Sequence, residues 1–180
     1  MASLATQYPQ PLATPLRILM KAMNLIIISA GIILALTFFF VVILRYGFGA
    51  DLFAYEEWLM IVAFWMFFMA SAAGTHDRAH VNADILGFMI SNPRVIYIRA
   101  LIVESIELII SATLAYWGFL MIEESILAYP NWQQTVALKI PFLLPRFGIF
   151  LGFLLMTLYT ALHLYVLIRN GQDGASQPSE

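Results

Sequence analysis

The sequence contains no cysteine, and charged residues are scarce, at 11% of its 180 residues. Without cysteine, disulfide bonds, thiol catalysis and cysteine-ligated zinc sites are excluded. Soluble domains carry about 25% charged residues, so the low charged fraction argues against a soluble domain. The nine basic residues are scattered and the formal net charge is -2, which leaves no basic patch for a nucleic-acid partner.

Apolar residues are abundant instead: they make up 62% of the chain, and the mean hydropathy is +0.84. A helix that crosses the bilayer needs about 20 mostly apolar residues. Four segments come close to or exceed that length: 22–44, 58–74, 100–122 and 147–168. The sequence therefore predicts an all-α membrane protein with four transmembrane helices in residues 16–169, between disordered tails at 1–15 and 170–180.

The distribution of Lys and Arg predicts the orientation of these helices, because basic short loops stay on the cytoplasmic side. Basic residues precede the first predicted helix, occupy the second loop and follow the last helix: Arg17, Lys21, Arg78, Arg94, Arg99 and Arg169. In the other two loops and at their edges, basic residues are outnumbered by acidic ones. We therefore predict that both termini are cytoplasmic.

The polar stretch "AAGTHDRAHVNADIL" ends the second predicted helix, and it allows three interpretations. His76 and His80 are four residues apart and would share a helix face, where Asp77 or Asp84 offers a third zinc ligand. Alternatively, His163 near the end of the fourth helix would pair with His76 or His80 on a haem iron. These interpretations predict a metal or haem site at the cytoplasmic side.

The third interpretation, which the pattern favours, is architectural. After His80 the segment "VNADILGFMI" places apolar residues at helical spacing, as in a short helix that lies in the membrane interface. It ends at "SNPR", where Asn92 is suited to cap the third helix and Pro93 to begin it. The polar stretch would then mark the turn from a spanning helix to an interfacial one, with no cofactor bound.

Several motifs together resemble the small membrane subunit, the DctQ-like component, of tripartite ATP-independent periplasmic (TRAP) transporters. The resemblance covers essentially residues 17–169. It is carried by "RYGFG" at Arg45, by the acidic pair of "AYEEWLMIVAFWMFF", and by "LKIPFLLPRFGIFLGFLL" before and within the fourth helix. Between these motifs the family pattern is matched at Gly74, Arg78, His80, Val81, Asp84, Ile85 and Leu86.

The resemblance implies a scaffold rather than an enzyme or a self-sufficient carrier. In such systems a periplasmic protein captures an organic anion, such as a C4-dicarboxylate or sialic acid. A large membrane subunit then moves the anion with sodium across the bacterial inner membrane. The small subunit supports the large one, and the lack of an internal repeat in this chain agrees with that division. A haem-binding anchor of a respiratory complex and a small homo-oligomeric channel remain as alternatives.

Ten residues are candidates for structural or subunit-interface roles: Arg45, Glu56, Glu57, Arg78, His80, Asp84, Glu104, Glu107, Gly148 and Gly152. Glu104 and Glu107 share a face of the third helix, and a carboxylate in lipid costs about 2.5 to 3.5 kcal/mol. We expect them to meet basic or hydrogen-bonding groups, on the large subunit, on Arg99 or elsewhere in this chain; a cation or proton relay is the sharper alternative.

The other candidates lie nearer the ends of the predicted helices. Glu56 and Glu57 are expected either to remain solvated at a helix N-terminus or to form part of an acidic rim for a partner. Gly148 and Gly152 have the GxxxG spacing, which permits close contact with another helix.

Overall fold

Four helices make up most of the structure, a computed structural model that describes residues 10–78 and 92–175. They are α1 (Gln10–Gly47), α2 (Tyr55–His76), α3 (Pro93–Leu127) and α4 (Leu143–Ala175). The described residues also include one isolated β-bridge, between Gln134 and Pro141 in the α3–α4 connection. The all-α prediction is confirmed for this part of the chain.

The helices extend beyond the apolar segments from which they were predicted. α1 begins at Gln10, inside the segment assigned to a disordered tail, and α4 continues to Ala175, past the predicted end of the membrane domain. Once a helix exists, each added residue contributes one hydrogen bond, so helices propagate past the apolar run that makes them necessary. Hydropathy therefore predicts the spans but underestimates the helices.

Local chemistry explains where α3 begins. The Asn92 side chain accepts a hydrogen bond from the backbone N–H of Arg94 at 3.0 Å, and Pro93 occupies the first helical position. This confirms the cap predicted from "SNPR", because Asn satisfies an otherwise unpaired N–H and Pro has none to satisfy. The interfacial helix predicted just before this point lies outside the described residues.

The helices lie side by side in the order α1, α2, α4, α3. α4 packs against both α2 and α3, and α1 packs against α2. On α1 the contact is a stripe of buried residues spaced seven apart, Leu16, Met23, Ala30 and Thr37, which keeps one face turned to a neighbour. The other faces of α1 and the outer face of α3 remain exposed and strongly apolar.

Three of the described helices are long and apolar enough to cross a membrane: Thr14–Gly47, Tyr55–His76 and Leu143–Arg169. α3 is not among them, and its 35 residues carry four glutamates and two arginines. The core lies near the C-terminal end of α2. There Met69 and Ala72 pack against Met23 of α1 and against Leu155 and Tyr159 of α4. This buried cluster fixes the α2–α4 distance at the level where the polar residues of α2 begin.

Candidate functional site

A polar site lies at the end of α2, where three helices meet. Arg78 follows the C-cap of α2 in the left-handed backbone conformation, with φ 51°. Its Nε donates to His163 Nδ1 on α4 at 2.9 Å, and its Nη2 lies 2.9 Å from Glu104 Oε1 on α3. One guanidinium group thus joins α2, α3 and α4. We call Arg78, Glu104, His163 and the Thr75 carbonyl the junction.

The hydrogen bonds of His163 define its protonation. Its Nε2 lies 3.0 Å from the carbonyl oxygen of Thr75, which only accepts, while Arg78 Nε only donates to its Nδ1. His163 is therefore neutral, with its proton on Nε2. It thus donates to a C-terminal carbonyl of α2, which also accepts from the backbone N–H of Arg78 at 3.3 Å. Both ring nitrogens are used, so neither is available to a haem iron in this arrangement.

Glu104 has its partner within the chain. Its side chain is 15% exposed and pairs with Arg78, which the sequence predicted as a structural or interface residue without indicating its partner. Glu107 lies one turn further along α3, partly buried, and it has no hydrogen-bond or ion-pair partner among residues 10–78 and 92–175. The two glutamates that share a helix face therefore have different environments.

His76 lies close to the junction but does not join it. Its Nδ1 lies 2.7 Å from Asp77 Oδ1, and its buried ring meets the edge of Tyr159 with centroids 5.1 Å apart. Among the described residues no three His, Asp or Glu side chains are placed to hold a metal ion together. His80 and Asp84, the other residues of the predicted metal site, lie outside the described part of the chain.

At the opposite end of α2, Glu57 binds a loop of its own chain. Residues 133–142 form a hairpin, closed by hydrogen bonds from Thr135 N to Ile140 O and from Phe142 N to Gln133 O, both 3.0 Å. Its tip presents the backbone N–H groups of Ala137 and Leu138, which donate to the two Glu57 carboxylate oxygens at 2.7 and 2.8 Å. Glu57 is thus bound within its own chain rather than merely solvated.

Arg146 fixes the base of the same hairpin. Its Nη2 donates to Gln133 Oε1 at 2.7 Å, and its Nη1 donates to the hydroxyl of Ser125 near the end of α3. In the sequence this arginine contributed only to the count of basic residues. An arginine one turn into an apolar helix, just after Pro145, is costly without a partner. Its position is therefore the sequence signal that predicts a specific contact.

Two charged candidates lie on the surface. Arg45 pairs with Asp51 at 3.0 Å across the α1–α2 turn, with both side chains exposed, and Glu56 is exposed.

The two glycine candidates lie where α4 packs against α2. An added Cβ would lie 3.3 Å from the Trp65 ring at Gly148 and 2.7 Å from Phe68 Cβ at Gly152. At Gly152 it would also lie 3.0 Å from the Phe68 carbonyl oxygen.

Two further features of the helix contacts are not predicted by the sequence. Gly118 on α3 lies against the backbone of Phe150 on α4, where an added Cβ would be 3.2 Å from the Phe150 Cα. Thr160, which carries no motif, is 1% exposed and has no hydrogen-bond partner for its hydroxyl among the described residues. Neither feature has a sequence signal, because a single glycine or threonine is common in apolar helices.

Comparison with known proteins gives one family. A family model described as "Tripartite ATP-independent periplasmic transporters, DctQ component" matches residues 33–170, more than half of the chain. The match begins within α1 and includes α2, α3 and most of α4. No curated protein matches the chain.

Proposed function

Because the chain belongs to the DctQ family of TRAP transporter components, we propose that it is a scaffold subunit that supports the large transport subunit in the bacterial inner membrane. The family match over residues 33–170 carries this proposal. The side-by-side order of the helices supports it, since α1 and α3 are left with broad apolar faces that a larger membrane protein can cover.

We propose that α3 is the fourth membrane-spanning helix. Residues 100–122 contain only Glu104 and Glu107 as charged residues, and α3 packs along α4, itself long and apolar enough to span. The pairing of Glu104 with Arg78 lowers the cost of placing its carboxylate in the membrane. α3 then ends near Glu123 and Glu124, on the same side as the hairpin.

Both termini are cytoplasmic in this proposal, and the hairpin side is periplasmic. Of the three basic residues assigned to the periplasmic side, Arg45 pairs with Asp51 and Arg146 is bound to Ser125 and Gln133. Lys139 lies at the hairpin tip beside the Glu57 carboxylate contacts. Arg17, Lys21, Arg94, Arg99 and Arg169 are on the other side, as the positive-inside rule requires.

The function proposed for the whole system is sodium-coupled uptake of an organic anion captured by a periplasmic binding protein. In this system the chain contributes structure: its Arg78, Glu104, Glu57, Gly148 and Gly152 hold its own helices and hairpin together. For Arg45 and Glu56, whose side chains are exposed, contact with a partner subunit is proposed. Roles for His80 and Asp84 stay predictions.

Co-purification tests this proposal. The full chain, tagged at its C-terminus, is purified in mild detergent from its native membranes, and bound proteins are identified by mass spectrometry. We expect a large membrane subunit in stoichiometric amount and a colourless sample. The control is the same tagged chain in a strain whose large-subunit gene is deleted, which should give no second band.

Two results would contradict the scaffold. A Soret absorption band would indicate haem, bound by His76 or by residues outside the described part. Transport activity of the chain reconstituted alone into liposomes would indicate an independent channel. Loss of anion uptake in a strain lacking only this chain, with the large subunit still in the membrane, is the result expected of a scaffold.

A further inference from the structure

A groove between α3 and α4 has an apolar part and a polar part. Its larger part has a volume of about 310 Å³ and is lined mainly by apolar side chains, among them Ile106, Ile110, Leu114 and Met156. Its smaller part, about 100 Å³, is lined by the side chains of the junction. The two parts adjoin, because Val103, Glu107 and Thr160 line both.

Two polar groups at the boundary between these parts lack partners among the described residues. Thr160 lines the groove and is 1% exposed, and its hydroxyl is buried without a hydrogen-bond partner in that part of the chain. The Glu107 carboxylate beside it has no cation within the described chain. A buried hydroxyl and a carboxylate that remain unpaired are unfavourable, so their position indicates a ligand that donates hydrogen bonds and carries positive charge.

Counted over the described residues that line it, the polar part has a net negative charge. Arg78 balances Glu104, His163 is neutral from its hydrogen bonds, and none of these residues offers a cation to Glu107. The Arg78 side chain is 51% exposed and its Nη1 is free of the two contacts that join the helices. The site therefore presents an acceptor for an ammonium group next to a donor for a phosphate group.

We propose that the groove binds a phospholipid with a primary-amine headgroup, of the phosphatidylethanolamine type. The ammonium group donates to the Glu107 carboxylate and the Thr160 hydroxyl, and the phosphate accepts from Arg78. One acyl chain lies along Ile110 and Leu114. This inference rests on the proposed function only in requiring that α3 lies in the membrane.

The direction of the groove supports a lipid. Glu104 lies eleven residues after Pro93, about 17 Å along α3 at 1.5 Å per residue, and Ile110 and Leu114 lie further along. The polar part is thus nearer the α3 end that is proposed to be cytoplasmic, and the apolar part is nearer the middle of the helix. A lipid of the cytoplasmic leaflet has its headgroup and acyl chains in the same order.

The size of the groove favours a lipid over a protein segment. A helix with side chains is about 10–12 Å across, and its docking requires a broad face. A volume of about 310 Å³ is at the lower limit of small-molecule sites and suits a flexible chain. The large subunit is therefore expected to cover other surfaces, such as the exposed faces of α1.

Native mass spectrometry of the purified full chain tests the proposal, together with any subunit that co-purifies. The protein is stripped of lipid and then titrated separately with dioleoyl phosphatidylethanolamine, phosphatidylcholine and phosphatidylglycerol. We expect one tightly held phosphatidylethanolamine, bound at least tenfold more tightly than phosphatidylglycerol. Phosphatidylcholine should bind more weakly than phosphatidylethanolamine, because its trimethylammonium group has no N–H to donate.

Two variants locate the site. Glu107→Gln should reduce the preference for phosphatidylethanolamine over phosphatidylglycerol at least fivefold, whereas Glu56→Gln removes the same charge from an exposed position and should leave it unchanged. Leu114→Trp should fill the apolar part and remove the bound lipid. Circular dichroism and gel filtration of each variant confirm that the chain is folded before lipid binding is compared.

Three outcomes would overturn the proposal: equal binding of the three lipids, an unchanged preference in Glu107→Gln, or displacement of the lipid whenever the large subunit is present. The last outcome would assign the groove to the subunit instead. The test is independent of the scaffold function, because a lipid bound specifically to a chain that purifies alone would support the groove while contradicting the scaffold.

Discussion

A glutamate makes a polar contact at each end of α2, but the two contacts differ in burial and in the type of partner. At the junction, Glu104 of α3 is mostly buried and pairs with Arg78, just after the end of α2. At the hairpin, Glu57 accepts two hydrogen bonds from backbone N–H groups in an exposed setting. Loss of the Glu104 partner leaves a mostly buried charge without its cation, whereas water replaces Glu57 on the hairpin. The same residue type therefore holds helices at one end and shapes a loop at the other.

The largest effect is expected for Arg78→Ala, which leaves Glu104 without its cation. Breaking a buried pair costs about 3–5 kcal/mol, and an exposed pair contributes about 0.2–1 kcal/mol. Because Glu104 is mostly buried and Arg78 is half-exposed, we expect a loss of about 2–3 kcal/mol. The thermal unfolding midpoint in detergent measures it. Arg94→Ala, an exposed arginine at the start of α3, is the control and should change stability by less than about 0.5 kcal/mol.

The double variant Arg78→Ala with Glu104→Gln sharpens this test. It removes both charges, so it should be more stable than Arg78→Ala alone, because no uncompensated charge remains. If Arg78→Ala were no less stable than the Arg94→Ala control, the junction would not hold the helices together.

Gly152→Ala tests whether packing between the two ends is as important as the polar contacts. The new Cβ would lie 2.7 Å from Phe68 Cβ and 3.0 Å from the Phe68 carbonyl oxygen, so the α2 and α4 backbones must separate. We expect a loss of about 2 kcal/mol, within the range for overpacking. Gly148→Ala meets only the Trp65 ring at 3.3 Å and should cost less; equal losses would contradict the close approach at Gly152.

Glu57→Ala should free the hairpin with little effect on the helices. Two exposed hydrogen bonds are lost, with a net cost of about 1 kcal/mol, since water takes their place. Amide hydrogen exchange at Ala137 and Leu138 should become about fivefold faster, the factor that corresponds to this energy. Glu56→Ala is the adjacent control, and faster exchange in both variants would indicate a general change at the α2 start.

The smallest effect is expected for Asp51→Asn. The Arg45–Asp51 pair is exposed on both sides, and such pairs contribute about 0.2–1 kcal/mol at most. The unfolding midpoint should shift by no more than about 0.5 kcal/mol in free energy, and the shift should vanish at high salt. A loss as large as that of Arg78→Ala would remove the distinction between buried and exposed pairs in this protein.

Much of the fold follows from the sequence, because a membrane span is a local property of about 20 residues. The α3 start at Asn92 and Pro93 was predicted from neighbouring residues for the same reason. The contacts of the site were harder to predict: Arg78 and Glu104 are 26 positions apart, and Arg78 and His163 are 85 apart. No periodicity relates such residues, so a glutamate in the third helix predicted only that some partner was needed.

The contacts of Glu57 were likewise not predictable from the sequence, because its partners lie about 80 residues away. The dipole of α2 explains an acid in its first turn, and the sequence offered either solvent or a partner protein for it. The hairpin at 133–142 was not predicted, because its sequence "QQTVALKIPF" reads as a plain connection between two spans. Only the tertiary structure, in which this hairpin packs against the start of α2, shows which N–H groups bind the carboxylate.

The sequence by itself determined that this is a helical membrane protein, where its apolar spans lie and which family its motifs resemble, because hydropathy, caps and short motifs act over neighbouring residues. The tertiary structure alone decided the order α1, α2, α4, α3, the neutral state of His163 and the difference between Glu104 and Glu107. These depend on which residues meet across helices, and that is set by the packing of all the helices together rather than by any one segment.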